Sequence, residues 1–417
     1  LDQSDAKAVI YSDMFHTVIS SIRDQHPKVA HYICHSEKEI KETVQYDALL
    51  AKCSPQEPLV YVQDDDPAFI MYTSGTTGKP KGAVLTHKNL LVEVIDILLE
   101  NDIKKGDRSL FSAPLFHVAA LVHMLLIFYL GGSSVIMDKF EPRDFLKLIE
   151  REKIAFGMLI PAMWIFLLQE PGISEYDTRS LRNVGTGGAV LPVEVMRKAM
   201  QAFPNVGIYN LFGQTETSSC TTLLYPEHAF SKEGSVGRRI VNLEARIVDG
   251  EDNDVAVGQV GEIIYRGPTI MKEYYNNPEA TADAIREGWF HSGDLVREDE
   301  DGFIWVVDRK KDMIISGGEN IYPAEVEEVL FTHPKIVEAA VIGVPDPQWG
   351  ESVKAIVVLQ KGETLTAEEI IGHCKTHMAS YKKPKTVEFV EGLPRNSAGK
   401  VRKFELRKKY ASQRAIS

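Results

Sequence analysis

Short apolar runs alternate with helical patterns over residues 66–212. Four runs predict β-strands, at 68–72, 154–160, 181–184 and 206–211. Residues 192–203 instead carry apolar side chains at helical spacing and begin with proline, which is typical of the first turn of a helix. Because strands that alternate with helices usually form one layered sheet, this part of the chain is predicted to be α/β.

The pattern changes twice after this region. Over residues 243–307 it consists of short extended runs between turn residues, including 262–266 and 302–307, and predicts a β-rich subdomain. Beyond the charged cluster 308–312 the chain predicts a compact α+β module. Its expected elements, in order, are a helix at 324–331, strands at 337–342 and 353–359, a helix at 367–377 and a strand at 387–390.

The expected architecture is therefore a large N-terminal domain of α/β sheet layers with a β-rich subdomain, followed by a small α+β C-terminal domain. The predicted boundary lies near Lys311 and divides the chain into residues 1–310 and 311–417. A length of 417 residues agrees with this division, since a folding unit usually spans about 100 to 200 residues.

Charge and cysteine content narrow the function classes. The chain has 47 basic and 59 acidic residues, a net charge of −12, so nucleic acid is not expected as a partner. Cys34, Cys53, Cys220 and Cys374 are scattered without a C-x-x-C pair, which indicates four buried thiols in a reducing compartment rather than a zinc site.

The longest apolar stretch, residues 115–130, contains His117 and His123. It is shorter than the roughly 20 residues that a membrane span needs, so we expect a core helix and no transmembrane span. The predicted location is cytoplasmic.

A loop suited to phosphate follows the first predicted strand. Residues 72–82 read YTSGTTGKPKG. Glycine lets backbone N–H groups approach an anion, hydroxyls can donate to its oxygens and lysines add positive charge. The spacing of the glycines and Pro80 after the lysine exclude a Walker A loop. A second glycine-rich turn, with Gly185, Gly187 and Gly188, precedes the helix at 192–203, and both turns are expected at the carboxyl ends of strands, where open α/β sheets bind ligands.

The loop resembles the signature loop of the adenylate-forming superfamily, which includes acyl-CoA synthetases, peptide-synthetase adenylation domains and beetle luciferases. The resemblance extends from about Asp64 to Arg407 through separate motifs in the family's order. Such proteins usually carry more chain ahead of the loop, and the first residue here is Leu1, so an N-terminally truncated fragment is expected. The resemblance implies an AMP-forming acid–thiol ligase that uses ATP, Mg²⁺ and coenzyme A, with a mobile C-terminal domain.

Residues 209–216, YNLFGQTE, place an amide, an aromatic ring, a hydroxyl and a carboxylate together, which suits a nucleotide. By the resemblance, Asn210 pairs with the adenine amino group, Phe212 stacks on the base, Thr215 bonds the α-phosphate and Glu216 holds Mg²⁺. Asp294 and Arg309 are implied to bind the ribose. The other implied nucleotide-binding residues are Thr73, Ser74, Gly75, Thr76, Thr77, Gly78, Lys79, Lys81, Gly187, Gly188, Ala189 and Gly213.

The C-terminal motifs are assigned by the resemblance alone. Lys400, at the end of the loop 394–400, is implied to be catalytic together with Thr215 and Glu216, bridging the acid's carboxylate and the α-phosphate. Lys311 occupies the hinge position. Gly317, Gly318 and Glu319 match a loop that lines the coenzyme A channel after the small domain rotates.

The acid is predicted from the helix after Pro114. Amino-acid-activating relatives place an aspartate there, whereas this chain continues with His117 and apolar residues, so an amino acid is disfavoured. His117, Gly185, Gly188 and Tyr209 are the expected acyl-pocket residues. A medium- or long-chain fatty acid is the first prediction, because each buried methylene contributes about 0.8 kcal/mol.

An aryl acid such as benzoate or coumarate is the alternative substrate. Two other readings are a catalytically inactive nucleotide-binding fragment and an adenylation module that serves a carrier protein. A homodimer and a peripheral membrane contact are left open.

Overall fold

The structure is a computed structural model that describes residues 1–73, 80–188, 191–395 and 399–410. Of the predicted nucleotide-binding residues, seven lie outside the described residues: Ser74, Gly75, Thr76, Thr77, Gly78, Lys79 and Ala189. The helices are α1 (His16–Ile22), α2 (Tyr46–Leu50), α3 (His87–Glu100), α4 (Val118–Tyr129), α5 (Pro142–Glu152), α6 (Pro161–Leu168), α7 (Val193–Ala202), α8 (Pro278–Ala284), α9 (Pro323–Phe331), α10 (Ala367–His377) and α11 (Lys403–Tyr410).

The strands form five sheets. The first eleven are β1 (Ala8–Ser12), β2 (His31–His35), β3 (Val44–Gln45), β4 (Pro67–Thr73), β5 (Lys81–Thr86), β6 (Arg108–Phe111), β7 (Ser133–Ile136), β8 (Phe156–Leu159), β9 (Asn183–Gly187), β10 (Gly207–Phe212) and β11 (Thr222–Leu224). The others are β12 (Arg238–Arg239), β13 (Glu244–Val248), β14 (Gly261–Arg266), β15 (Glu273–Tyr274), β16 (Ile285–Arg286), β17 (Trp289–Glu298), β18 (Ile304–Arg309), β19 (Ile314–Ser316), β20 (Glu319–Ile321), β21 (Ile336–Asp346), β22 (Gly350–Leu359) and β23 (Thr386–Phe389).

A seven-stranded sheet carries the predicted α/β part, in the order β12-β11-β10-β9-β8-β6-β7. The strands from β7 to β10 are parallel, and β11 and β12 add an antiparallel edge. The runs predicted at 154–160, 181–184 and 206–211 are β8, β9 and β10, and the predicted helix is α7. The α/β fold class is thus confirmed.

Two hydrophobic cores cover the faces of this sheet, because successive side chains of a strand point to opposite faces. Val184 belongs to the core formed with α5, α6 and α7, whereas Phe156 and Leu211 belong to the core formed with α3 and α4. Gly185 follows Val184 and therefore faces α4.

The first predicted strand differs from the expectation. It is β4, which pairs antiparallel with β5 in a separate three-stranded sheet, order β15-β5-β4. The phosphate loop therefore connects the two strands of a hairpin and does not lie at the end of a parallel strand. An apolar run of five residues gives no information about which sheet it joins, and this explains the error.

The β-rich subdomain is a five-stranded sheet of β13, β14, β17 and β16, with β18 paired to β17. The C-terminal module has its own sheet, order β20-β19-β22-β21, with β23 beside β22. Its main core draws on β19–β22, α9 and α10. Helix α10 spans the predicted range and begins with a capping box between Thr366 and Glu369.

The cysteine prediction was wrong at one position. Cys34, Cys220 and Cys374 are buried, but Cys53 is exposed, because it follows the short helix α2 in a surface segment. The apolar stretch predicted as a core helix is α4, with its second-turn residues buried. Within the described residues, no helix has the length and apolarity to span a bilayer.

Candidate active site

A tight turn follows β10 and presents two of the predicted catalytic residues. A Cβ atom at Gly213 would lie 1.9 Å from the carbonyl oxygen of Ser219, so only glycine lets the chain fold back here. Gln214 then caps a 3₁₀ turn, Thr215–Thr217, through a reciprocal bond with Thr217. The turn places Thr215 and Glu216 just beyond the end of β10, at the carboxyl edge of the sheet.

Glu216 contacts Thr73, at the end of the strand before the phosphate loop, and Tyr274 of β15, which pairs with the strand after the loop. Its Oε1 accepts a hydrogen bond from the Tyr274 hydroxyl at 2.8 Å and a longer one from Thr73 Oγ1 at 3.5 Å. The Lys81 ammonium lies 5.0 Å above the Tyr274 ring. Burial and the neighbouring Glu216 carboxylate raise the pKa of Tyr274, so its hydroxyl stays a donor. Thr73, Lys81 and Glu216 are thus brought together, as the motif order implied.

Asp294 is held by two partners. Its carboxylate is 1% exposed, lies 2.5 Å from Arg309 Nε and accepts a hydrogen bond from Gln214 Nε2 at 2.5 Å. The two residues of the ion pair face each other across β17 and β18. Burial raises the pKa of Asp294, while the positive charge of Arg309 acts in the opposite direction.

Gln214 had no role in the sequence analysis, although it lies inside the YNLFGQTE motif. Its amide also donates to the Ser292 carbonyl at 2.9 Å, so it ties the Glu216 turn to the strand of Asp294. Its place between two recognised motif residues was the available signal.

Lys400 reaches the same cleft from the C-terminal module. Desolvation lowers its pKa first and the charge of Arg309 adds to this, while the carboxylates of Asp294 and Glu216 raise it. The side chain keeps contact with solvent. The loop before it is closed by a bridge between Arg395 and Val401 and by an Arg395 Nη1 bond to the Gly399 carbonyl at 2.6 Å. Residues from two separate sheets therefore lie around the same cleft.

His117 lies beside this cleft, at the start of α4. It is the N-cap residue of the helix, and its Nδ1 accepts from the backbone N–H of Ala119 at 3.3 Å. Burial lowers the pKa of His117, and the positive charge of Lys400 lowers it further.

Two more predicted residues lie beneath α4. Met158, Gly185 and Tyr209 lie side by side on β8, β9 and β10, on the face that α4 covers. A Cβ atom at Gly185 would lie 3.0 Å from Leu211 Cδ1 and 3.9 Å from His123 Nε2. His123 is 1% exposed and was not selected from the sequence, because a histidine in an apolar helix gives no sign of where it points.

Other predicted residues lie outside this cluster. Gly317 and Gly318 form the turn between β19 and β20, and Glu319 is the first residue of β20. A Cβ atom at Gly317 would lie 2.5 Å from the Trp349 ring. Lys311 lies in the turn between β18 and β19.

The nucleotide-side residues of β9 and β10 lie at the carboxyl edge of the sheet. The Asn210 side chain donates to the Ser235 carbonyl at 3.4 Å, and Phe212 packs against the α4-side core. Gly187 leaves no room for a side chain, since a Cβ atom would lie 2.5 Å from the Leu211 carbonyl oxygen. Gly188 has a φ of 81°, which glycine tolerates better than other residues.

The oxygen donors of the cleft fit a magnesium ion bound together with phosphates. Among the described residues, no group of three or more His, Cys, Asp or Glu side chains could hold a metal on its own. Mg²⁺ commonly takes one or two carboxylates and completes its shell with water and substrate phosphates. Glu216, with the hydroxyls of Thr73 and Thr215 nearby in the cleft, offers such hard ligands.

Comparisons with known proteins agree with this geometry. The sequence profile of the AMP-binding enzymes matches residues 1–275, and that of the AMP-binding enzyme C-terminal domain matches residues 325–400. A feruloyl-CoA synthase of Amycolatopsis sp is 42% identical over 347 residues, which cover 83% of this chain and 70% of that protein. The long-chain-fatty-acid–CoA ligase FadD13 of Mycobacterium tuberculosis is 38% identical over 415 residues, 99% of this chain and 80% of the relative.

A solved structure shows the same architecture. The o-succinylbenzoate CoA synthetase of Bacillus subtilis, in complex with its acyl-adenylate intermediate, superposes with a TM-score of 0.82 at 32% identity and covers 94% of this chain and 80% of its own. The profile match alone extends over more than half of the sequence. The chain therefore belongs to the AMP-binding enzymes of the adenylate-forming superfamily and is an AMP-forming acid–CoA ligase that uses ATP, Mg²⁺ and coenzyme A.

Proposed function

We propose that Lys400 carries the adenylation step by stabilising the negative charge that develops as the acid's carboxylate attacks the α-phosphate of ATP. This role is supported by the charged groups that act on its ammonium: desolvation and the charge of Arg309 lower its pKa, the carboxylates of Asp294 and Glu216 raise it, and Lys400 in turn lowers the pKa of His117. A fixed cation between a carboxylate and a phosphate acts where charge builds up in the transition state.

The other cleft residues would then hold the nucleotide. The Asp294 carboxylate, oriented by Arg309 and Gln214, accepts from the ribose hydroxyls. Thr215 donates to the α-phosphate, Glu216 holds Mg²⁺, and Asn210 and Phe212 bind the adenine. Thr73 and Lys81, together with Gly187, Gly188 and Gly213, line the phosphate and base sites. This assignment is supported by the short contacts that join Gln214, Asp294 and Arg309 before any ligand is bound.

The second half-reaction would require a different arrangement, because the thiol of coenzyme A must reach the adenylate that Lys400 helps to form. We assign the hinge to Lys311, at the junction of domains 1–310 and 311–417. Rotation there would withdraw Lys400 and bring the Gly317–Gly318–Glu319 turn toward the thiol of coenzyme A. Support comes from the separate hydrophobic core of the C-terminal module and from the short turn that joins it to β18.

The acid's body would lie under α4, against the face of the sheet that carries Met158, Gly185 and Tyr209. The absence of a side chain at Gly185, between its larger neighbours, supports an aryl acid as one candidate, the class named for the feruloyl-CoA synthase. A medium- or long-chain fatty acid remains the second candidate, supported by the apolar buried residues of α4 and by the name of FadD13.

The deciding experiment measures pyrophosphate release with a panel of carboxylic acids, with and without coenzyme A. We expect acid-dependent release in both cases and thioester only when coenzyme A is present. The panel should contain benzoates, cinnamates and saturated fatty acids of graded length. ATP binding without acid-dependent release would contradict the proposal and support an inactive nucleotide-binding fragment.

A further inference from the structure

Helix α9 of the C-terminal module begins without a capping side chain of its own. Tyr322 is its N-cap residue and makes no side-chain hydrogen bond to the first turn, and Pro323 lies at the start of the helix. The first N–H groups of a helix have no partner within the helix, so side chains from elsewhere or water must accept from them. The cap of α9 can therefore come only from another part of the chain or from solvent.

Asp308 supplies this cap from the large domain. Its Oδ2 accepts a hydrogen bond from the backbone N–H of Ala324 at 2.7 Å, and its Oδ1 accepts from the N–H of Arg309 at 2.6 Å. Asp308 lies near the end of β18, before Lys311, and is 7% exposed. A carboxylate suits this place, because the amino end of a helix carries a partial positive charge. The hydrogen bond thus joins the large domain to the first turn of α9.

A lysine of the C-terminal module acts on the same carboxylate. Lys403 begins α11, and its ammonium lies 2.7 Å from Glu327 Oε1 of α9. Burial raises the pKa of Asp308, while the positive charge of Lys403 acts in the opposite direction and favours the ionised form that caps the helix. Both the N–H of Ala324 and the charge of Lys403 come from the chain beyond Lys311.

The residue after Asp308 belongs to the nucleotide cleft. Arg309 pairs with Asp294, which it faces across β18 and β17. Successive side chains of a strand point to opposite faces, so Asp308 can reach α9 while Arg309 reaches Asp294. The cap therefore attaches the C-terminal module to the strand that also carries an arginine of the cleft.

We propose that Asp308 is a positioning residue, which holds the C-terminal module in the arrangement that keeps Lys400 at the cleft, and that its hydrogen bond to α9 breaks before the thioester step. The inference rests on the proposed ligase function and on the hinge at Lys311. Asp308 precedes the hinge and Ala324 follows it, so rotation moves the donor away from the acceptor. A displacement of about 1 Å is enough to lose a hydrogen bond.

The proposal predicts a change in the balance between the two half-reactions. Each half-reaction runs at a rate proportional to the population of the arrangement that it needs. The ratio of adenylate formation to thioester formation from supplied acyl-adenylate therefore changes by the same factor as the equilibrium between the arrangements. Asp308→Ala should lower this ratio by about 3- to 20-fold, the effect of losing one helix cap. Asp308→Asn keeps an acceptor without the charge and should lower it less.

The experiment measures both half-reactions in the full chain, with an acid that supports pyrophosphate release. Thr366→Ala is the matched control, because Thr366 caps α10 by accepting from the N–H of Glu369 at 3.2 Å, and both residues belong to the C-terminal module. It should lower the thermal stability and leave the ratio unchanged. A variant that is merely less folded loses both rates by the same factor, so the ratio separates positioning from a structural role.

Each outcome bears on the proposal. An unchanged or increased ratio in Asp308→Ala would overturn it while the ligase function stands, and if that variant does not fold, Asp308→Asn decides by the same comparison. An equal decrease in Thr366→Ala would also overturn it, because any cap of the module would then have this effect. If no acid releases pyrophosphate, the proposed function and this inference are both wrong.

Discussion

Around Asp294 the cleft is lined by charged and polar groups that already bind one another, whereas beneath α4 it is lined by apolar side chains and one glycine. The first region joins β10, β17 and β18 through Gln214 and Arg309. In the second, packed side chains surround Gly185, which has no side chain of its own. A nucleotide has polar groups at fixed positions and binds best to protein groups that are already in place. The body of an acid binds instead to a surface of matching shape. The nucleotide half should therefore respond to loss of charge or of loop geometry, and the acyl half to small changes of volume.

The largest expected effect comes from loss of the Lys400 charge, which serves both the nucleotide half and the acyl half of the cleft. Lys400→Ala should lower the rate of adenylate formation by about 10²–10³-fold, the range for losing one group that stabilises transition-state charge. Thioester formation from supplied acyl-adenylate should be spared. Both half-reactions are measured separately, with Lys408→Ala, an exposed lysine of α11, as the control. Equal loss in the two assays would give Lys400 a general structural role.

The loop geometry of the nucleotide half depends on Gly213. In Gly213→Ala the new methyl group would stand 1.9 Å from the Ser219 carbonyl oxygen, so the backbone that carries Thr215 and Glu216 must move. We expect a loss of about 3 kcal/mol in the free energy of unfolding, measured in urea, because overpacking against backbone is at the costly end of its range. Gly250→Ala meets nothing within 4 Å and should be near neutral. Matching values for the two variants would refute the tight turn.

A substitution at the hinge tests whether adenylation and thioester formation need different arrangements of the two domains. Lys311→Pro fixes φ in the turn after β18, and we expect thioester formation to fall about 10-fold or more while adenylation largely survives. Lys310→Pro is the comparison, since the Lys310 N–H donates to the Gly293 carbonyl at 2.8 Å and its loss should harm the nucleotide half as well. Normal thioester turnover in Lys311→Pro would remove this residue from the hinge.

A change of volume should affect the acyl half alone. Gly185→Ala places a methyl group 3.0 Å from Leu211 Cδ1, under α4. We expect kcat/KM for cinnamates to fall about 10-fold, a cost of about 1 to 2 kcal/mol, with the KM for ATP unchanged. Short acids such as propionate provide the internal control. A uniform decrease over all acids would mean that Gly185 does not line the path of the acid.

The smallest expected effect is on stability, and it concerns the carboxylates of α3 that hold segments next to the nucleotide half. Helix α3 carries Glu93, whose Oε1 accepts from the backbone N–H of Cys220 at 2.6 Å, and Asp96, which accepts from Asn242 at 2.6 Å. Burial raises the pKa of Asp96 from its ordinary 3.8 to about 6. The unfolded chain releases this proton first, so Asp96 makes stability fall as pH rises from about 4 to about 6.

Replacing the Asp96 carboxylate should remove this loss of stability at higher pH. Asp96→Asn is expected to be more stable than the parent by about 1 kcal/mol at pH 8, because the linkage gain is partly cancelled by a new buried amide donor. At pH 4 the gain should vanish. Thermal unfolding at both pH values tests this, and an equal shift at the two values would show that titration of Asp96 is not the cause.

The polar half was largely predictable from the sequence. Asp294, Arg309, Thr215, Glu216 and Lys400 stand in motifs whose residue types and order are specific, and the structure brings them to one cleft. Gln214 was missed although it lies in such a motif, because an amide between named residues carries no distinct chemical sign. The hairpin position of the phosphate loop was also missed, since strand pairing depends on contacts that are distant in sequence.

By itself the sequence determined the element order, the α/β and α+β parts, the family and the polar residues of the cleft, because periodicity and motif spacing are local properties of the chain. Only the tertiary structure decided which side chains meet beneath α4. His123 and Gly185 are 62 positions apart, and their approach depends on how α4 packs on β8 and β9. Side chains that meet only through packing leave no pattern along the chain, so this contact could be found only in the fold.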